Sequence, residues 1–110
     1  MTPREIFEQK LSQSVNKEKA EQVGGTFQFN ITGDNGGDWF IDLTKESDFV
    51  QEGALDGALC VISVADEDFV GIVDGTLNGQ MAFMSGKLKV TGPDPGKAMS
   101  LALKLQTLLS

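Results

Sequence analysis

The residues of this chain able to act as acids, bases or nucleophiles are few in kind. It carries sixteen Asp and Glu, one cysteine and no histidine or tyrosine, so the commonest general base and the phenolic proton relays are missing. No Gly-x-Ser-x-Gly elbow and no Walker-type phosphate loop occurs. Chemistry would therefore rest on carboxylates or on Cys60. Asp66, Glu67 and Asp68 open an amphipathic stretch, where acids complement the first turn of a helix. Asp34 and Asp38 frame a glycine-rich turn. Asp42 shares a strand face with Phe40, opposite Trp39, Ile41 and Leu43, so it is either solvent-facing or buried with hydrogen-bonding partners. Asp34-Asn35-Gly36 has the start of a calcium loop, but the bidentate Glu such a loop needs falls at Lys45. Gly33, Gly36 and Gly37 do not follow a strand and open a helix, as a dinucleotide cradle requires. The expectation is no metal, no cofactor and no catalysis. The enzyme alternative is a cofactor-free hydrolase or isomerase using Asp42 or Cys60.

The apolar residues are more informative. Met81, Phe83, Met84, Met99 and Leu103 exceed what one core-facing stripe needs on their helices. A helix apolar on all sides must face core on one side and further apolar matter on the other, either protein or a ligand cavity. Unbranched Met side chains repack around ligands of different shape, which suits a cavity.

The elements that must position these residues are readable from the N-terminus. Thr2-Pro3-Arg4-Glu5 forms a capping box with Pro at the first helical position, and Phe7, Leu11 and Val15 follow at four-residue spacing. Asn16 caps a second helix over Lys17–Val23, which Gly24-Gly25 ends. Residues 26–31 alternate strictly, with Phe27, Phe29 and Ile31 on one side. A glycine-rich turn leads to a strand at residues 39–43, completing a hairpin. A weaker strand around residues 49–51, a stronger one over residues 59–64, and a helix with its N-cap among Asp66, Glu67 and Asp68, closed by Gly75, come next. Asn78 caps a short helix through Met84, a strand covers residues 87–91 with Leu88 and Val90 inward, and Pro93 and Pro95 break the chain. The last helix, residues 96–109, places Ala98, Leu101, Ala102, Leu105, Leu108 and Leu109 on one stripe. The order predicts one α+β domain with an antiparallel or mixed sheet.

At 110 residues the chain suits one core, and no window nears the roughly 18 apolar residues of a membrane span. A net charge of −7 opposes the phosphate contacts of nucleic-acid binding. It also limits membrane contact to brief or locally basic encounters. Cys60 lies in an apolar run and reads as a core thiol in a reducing compartment. No secretory signal opens the chain and the last residues do not form a peroxisomal address, so the cytoplasm is expected.

Several blocks, in order, carry a family likeness: Gly25-Thr26-Phe27-Gln28-Phe29, Trp39-Phe40-Ile41-Asp42-Leu43, Val64-Ala65-Asp66-Glu67-Asp68-Phe69 and Ala82-Phe83-Met84-Ser85-Gly86-Lys87-Leu88-Lys89-Val90-Thr91-Gly92. The chain resembles the sterol carrier protein type two family of intracellular lipid transfer proteins. The resemblance implies a five-stranded, mostly antiparallel (mixed) sheet covered by about five helices, with an apolar tunnel between the layers. It implies a lipid ligand (sterol, fatty acid, fatty acyl-CoA or phospholipid) and no catalysis. Carried onto this chain, the lipid-binding positions are Phe27, Phe29, Trp39 or Ile41, Ile62, Phe69, Ile72, Met81, Phe83, Met84 and Leu88, with Met99 and Leu103 of the last helix as a lid. Trp39, Ile41 and Leu43 share one parity and Phe40 the other, so the inward face of that strand stays open. The expected carrier is a monomer. The rival reading is an interaction module or homodimer that buries the apolar C-terminal helix in protein instead of around lipid.

Overall fold

The structure is a computed structural model that describes the backbone of residues 2–109 and the side chains of residues 2–104. Leu105, Leu108 and Leu109, which extend the expected stripe of the last helix, lie outside the described side chains. The first helix, α1, covers residues 3–14. It opens as expected, with the Thr2 hydroxyl accepting from the Glu5 amide at 3.3 Å and Pro3 in the first turn. It then widens into π-helix over Ile6–Leu11 before a last turn at Ser12–Ser14. With i→i+5 bonding, Ile6, Phe7 and Leu11 are all fully buried, and the Ser12 hydroxyl donates to the Phe7 carbonyl at 2.9 Å. Helix α2, Lys17–Val23, is capped by Asn16 Oδ1, which accepts from the Lys19 amide, and ends at Gly24.

Five strands follow: β1 (Thr26–Thr32), β2 (Gly37–Asp42), β3 (Val50–Glu52), β4 (Cys60–Ala65) and β5 (Leu88–Thr91). Helix α3 (Asp66–Asp74) and helix α4 (Gly79–Met84) lie between β4 and β5, and α5 (Pro95–Leu109) closes the fold. The sheet order is β3-β2-β1-β4-β5. The central β1–β4 pair is parallel and the other three are antiparallel, so the sheet is mixed.

The register places one apolar row across the sheet. Trp39 faces Phe29, Phe29 faces Ile62, and Ile62 faces Val90. Trp39, Ile41 and Leu43 are buried and Phe40 is half-buried on the other face, which decides the parity left open by the sequence. On that other face Gln28 is buried. Its amide nitrogen donates to the carbonyls of Phe29, Trp39 and Gly53, and its oxygen accepts from the Leu55 amide at 2.6 Å. The loop after β3 therefore folds over a satisfied polar group.

One expected cap differs. The N-cap of α3 is Ala65, and Asp66 instead accepts from the Glu67 amide and, across the fold, from the Asn35 amide at 2.9 Å. The carboxylate thus ties α3 to the β1–β2 turn.

Candidate functional site

Phe7 divides the space between sheet and helices. Its ring stacks on Trp39 at 5.0 Å and on Phe69 at 5.2 Å, and meets the edge of Phe29 at 5.2 Å. The Arg4 guanidinium lies 5.1 Å from the Trp39 ring centre. These aromatic rings pack one another against Trp39 of β2 and Phe29 of β1.

The β4–β5 half is different. Between Ile62, Leu88 and Val90 of the sheet, Ile72 of α3, Gly79, Gln80, Phe83 and Met84 of α4, and Met99, Ala102 and Leu103 of α5 lies a cavity of about 440 Å³, which Phe29 also touches. That volume lies within the usual range for small-molecule sites. None of these residues carries a charge, and the Gln80 amide is the one polar side chain among them. The cavity opens to solvent along Phe83, Met84 and Leu103, which are 39, 77 and 63% exposed. The sequence reading expects an enclosed tunnel here; the described side chains bound the space on the sheet, α3, α4 and α5 sides.

Two glycines shape its rim. Gly86 ends α4 at φ +84°, and the next amide, of Lys87, reaches back to the Ala82 carbonyl at 2.9 Å, the Schellman geometry that turns a helix into a following strand. At the far end of β5, a Cβ on Gly92 would stand 2.4 Å from the Leu59 carbonyl oxygen and 3.1 Å from the Ala98 Cβ. No side chain fits there without displacing α5 from the sheet.

The structure thus gathers Phe29, Ile62, Ile72, Phe83, Met84, Leu88, Met99 and Leu103 around one cavity. The other expected positions go elsewhere. Phe27 and Ile41 are fully buried core. Trp39 and Phe69 stack on Phe7 and are not among the described residues lining this cavity. Met81 is 67% exposed on the outer side of α4 and does not line the cleft. Val90, Gln80 and Ala102 join the lining. The inward parity of Val90 with Leu88 and the helical stripe containing Ala102 are the signals that point to two of them.

The residues weighed for catalysis lie outside this cavity. Asp42 accepts from the Thr44 amide at 3.0 Å and from the Thr44 hydroxyl, closing the turn after β2. Cys60 is fully buried in register with Phe27, and burial pushes its thiol up to about 11.

Comparison with known proteins agrees with this architecture. Residues 5–110 match the model of the SCP-2 sterol transfer family. The rat (Rattus norvegicus) protein named hydroxysteroid dehydrogenase-like protein 2 is 39% identical over 101 residues, which cover 91% of this chain and 18% of that protein. The chain therefore spans a small part of that relative. The crystal structure of sterol carrier protein 2 like 2 from Aedes aegypti superposes with a TM-score of 0.72 at 27% identity, covering 94% of this chain and 93% of that one. The solution structure of the palmitated form of that mosquito protein gives 0.67 at 25% identity, covering 99 and 95%.

Proposed function

Since the chain belongs to the SCP-2 sterol transfer family, we propose that it is a non-catalytic lipid carrier that holds one apolar chain or ring system in the cleft between β4–β5, α4 and α5. The observation that carries this reading is the lining: an uncharged, almost wholly apolar cavity of about 440 Å³ with methionines at its open side. Palmitate in the mosquito relative's structure supports a fatty acyl chain as one ligand class, beside fatty acyl-CoA, phospholipid and sterol.

Binding is passive in this reading. Each methylene that leaves water contributes roughly 0.8 kcal/mol, and the polar head stays at the open side, where Phe83, Met84 and Leu103 meet solvent, because the lining offers no countercharge for a buried carboxylate. Met84 and Met99 adjust to cargo shape. Among the described residues the lining holds no titratable group, which supports a carrier over an enzyme. We place the protein in the cytoplasm as a monomer, in brief contact with membranes.

The test is displacement of a fluorescent fatty acid by acids of increasing length. Affinity should rise about fourfold per added methylene until the cleft is full. No displacement by any lipid at micromolar concentration overturns the carrier. The exposed Met81, Met84 and Leu103 favour a second reading, an apolar face that pairs with protein. Native mass spectrometry separates the two: a monomer with a co-purified lipid supports the carrier, and a lipid-free dimer supports the module.

A further inference from the structure

The oxidisable sulfur of this chain is one thiol and four thioethers. The thiol, Cys60, is fully buried, and burial holds it in the protonated form, so peroxides lack the thiolate they would attack. Met1 lies outside the described residues. The other three thioethers differ in two independent ways. Met81 and Met84 are 67 and 77% exposed, whereas Met99 is half-buried. Met84 and Met99 line the cavity, whereas Met81 does not. Among the described residues, Met84 is therefore the one sulfur that is both open to an aqueous oxidant and part of the lining. Met81, three residues earlier on the same six-residue helix, shares the exposure without the cavity.

We propose that Met84 is a reversible oxidation site that gates the cleft: hydrogen peroxide converts its thioether to the sulfoxide in the empty carrier, and the sulfoxide weakens the hold on apolar cargo. The inference rests on the carrier reading. A sulfur lone pair attacks one peroxide oxygen, the S–O bond forms as the O–O bond breaks, and sulfur is oxidised by two electrons. The second oxygen leaves as water, carrying both hydrogens. A flexible apolar side chain thus becomes a polar, chiral one, in a lining whose one polar side chain is Gln80. The new oxygen either turns to solvent and draws the side chain off the cargo, or stays inward without a donor, and affinity falls in both cases. A bound acyl chain that reaches the open side passes Met84, so cargo shields the sulfur that an empty carrier exposes. Oxidation at Met81 leaves the lining untouched and is silent.

The experiment compares fatty-acid displacement before and after limited hydrogen peroxide treatment, with the sulfoxides located by peptide mass spectrometry. Wild type oxidised at Met81 and Met84 should bind about fivefold to tenfold more weakly, and methionine sulfoxide reductases should restore it. Met81→Leu should lose as much on treatment. Met84→Leu, which keeps an apolar side chain of similar volume without an oxidisable sulfur, should change by less than about twofold on treatment. Saturating palmitate should slow sulfoxide formation at Met84 relative to Met81. Unchanged affinity of treated wild type, the same loss in treated Met84→Leu, or no palmitate protection of Met84 overturns the proposal. Those results leave the carrier in place, because untreated wild type still exchanges fatty acid. No displacement by untreated wild type removes carrier and switch together.

Discussion

The row Trp39, Phe29, Ile62, Val90 crosses one sheet in register, yet its two ends have opposite fates. At the Trp39 end, α1 drops Phe7 between Trp39 and Phe69 and the layers close completely. At the Val90 end, α4 is a helix of six residues whose Met81 and Met84 point largely to solvent, and the layers stay apart. The strand residues at both ends are apolar. What differs is whether the covering helix buries its ring: Phe7 of α1 is fully buried against Trp39 and Phe69, whereas Phe83 of α4 stays partly exposed at the edge of the cavity.

The largest expected effect concerns the closed half. Phe7→Ala removes the ring shared by three aromatic partners and should cost about 3–5 kcal/mol in urea unfolding. Leu103→Ala on the open side should cost no more than ~0.5 kcal/mol. Comparable losses from the two would erase the distinction between the halves.

Cys60 sharpens the comparison on the chemical side. Because burial raises its pKa from 9.0 to about 11, the folded state holds the proton more tightly than the unfolded one. The associated stability is whole below about pH 9 and is lost as the pH rises through about 11, by roughly 2–3 kcal/mol. Iodoacetamide at pH 8 should leave Cys60 of the native protein unmodified, while peroxide oxidises Met81 and Met84 before Met99. Rapid native alkylation of Cys60 would show that the buried core between β1 and β4 opens.

A smaller effect is expected within the open half. Phe83→Asp places a charge in the lining and should weaken fatty-acid affinity about tenfold, ~1.4 kcal/mol. Lys87→Ala, outside the lining, should change it less than about twofold. Equal affinities for the two variants in the displacement assay would move the cargo away from α4.

Much of this was legible in the sequence. Helix α2 coincides with its predicted bounds, because Asn16 and Gly24 act within the helix they delimit. The family likeness is borne out by the match over residues 5–110, and the mixed five-stranded sheet by the mosquito structure. The division of the apolar residues was not legible. Alternation puts Trp39 and Ile41 on one face without saying which face is inward. Phe7 looks like any helical core residue until its contacts with Trp39 and Phe69, distant in sequence, are made. Gln28 alternates with Phe27 and Phe29, and that alternation does not show that the Leu55 amide and three carbonyls close over it. The π-turn that buries Ile6 beside Phe7 likewise follows from packing against the sheet, because apolar spacing alone supports an ordinary helix.

The most direct measurement is a methyl NMR titration with a saturated fatty acid. The account predicts that the methyls of Ile62, Ile72, Leu88, Met84, Met99 and Leu103 shift and saturate together, at one ligand per chain, while those of Ile6, Leu11 and Ile41 stay in place. Shifts centred on Ile6, Leu11 and Ile41, or none at saturating fatty acid, would contradict it.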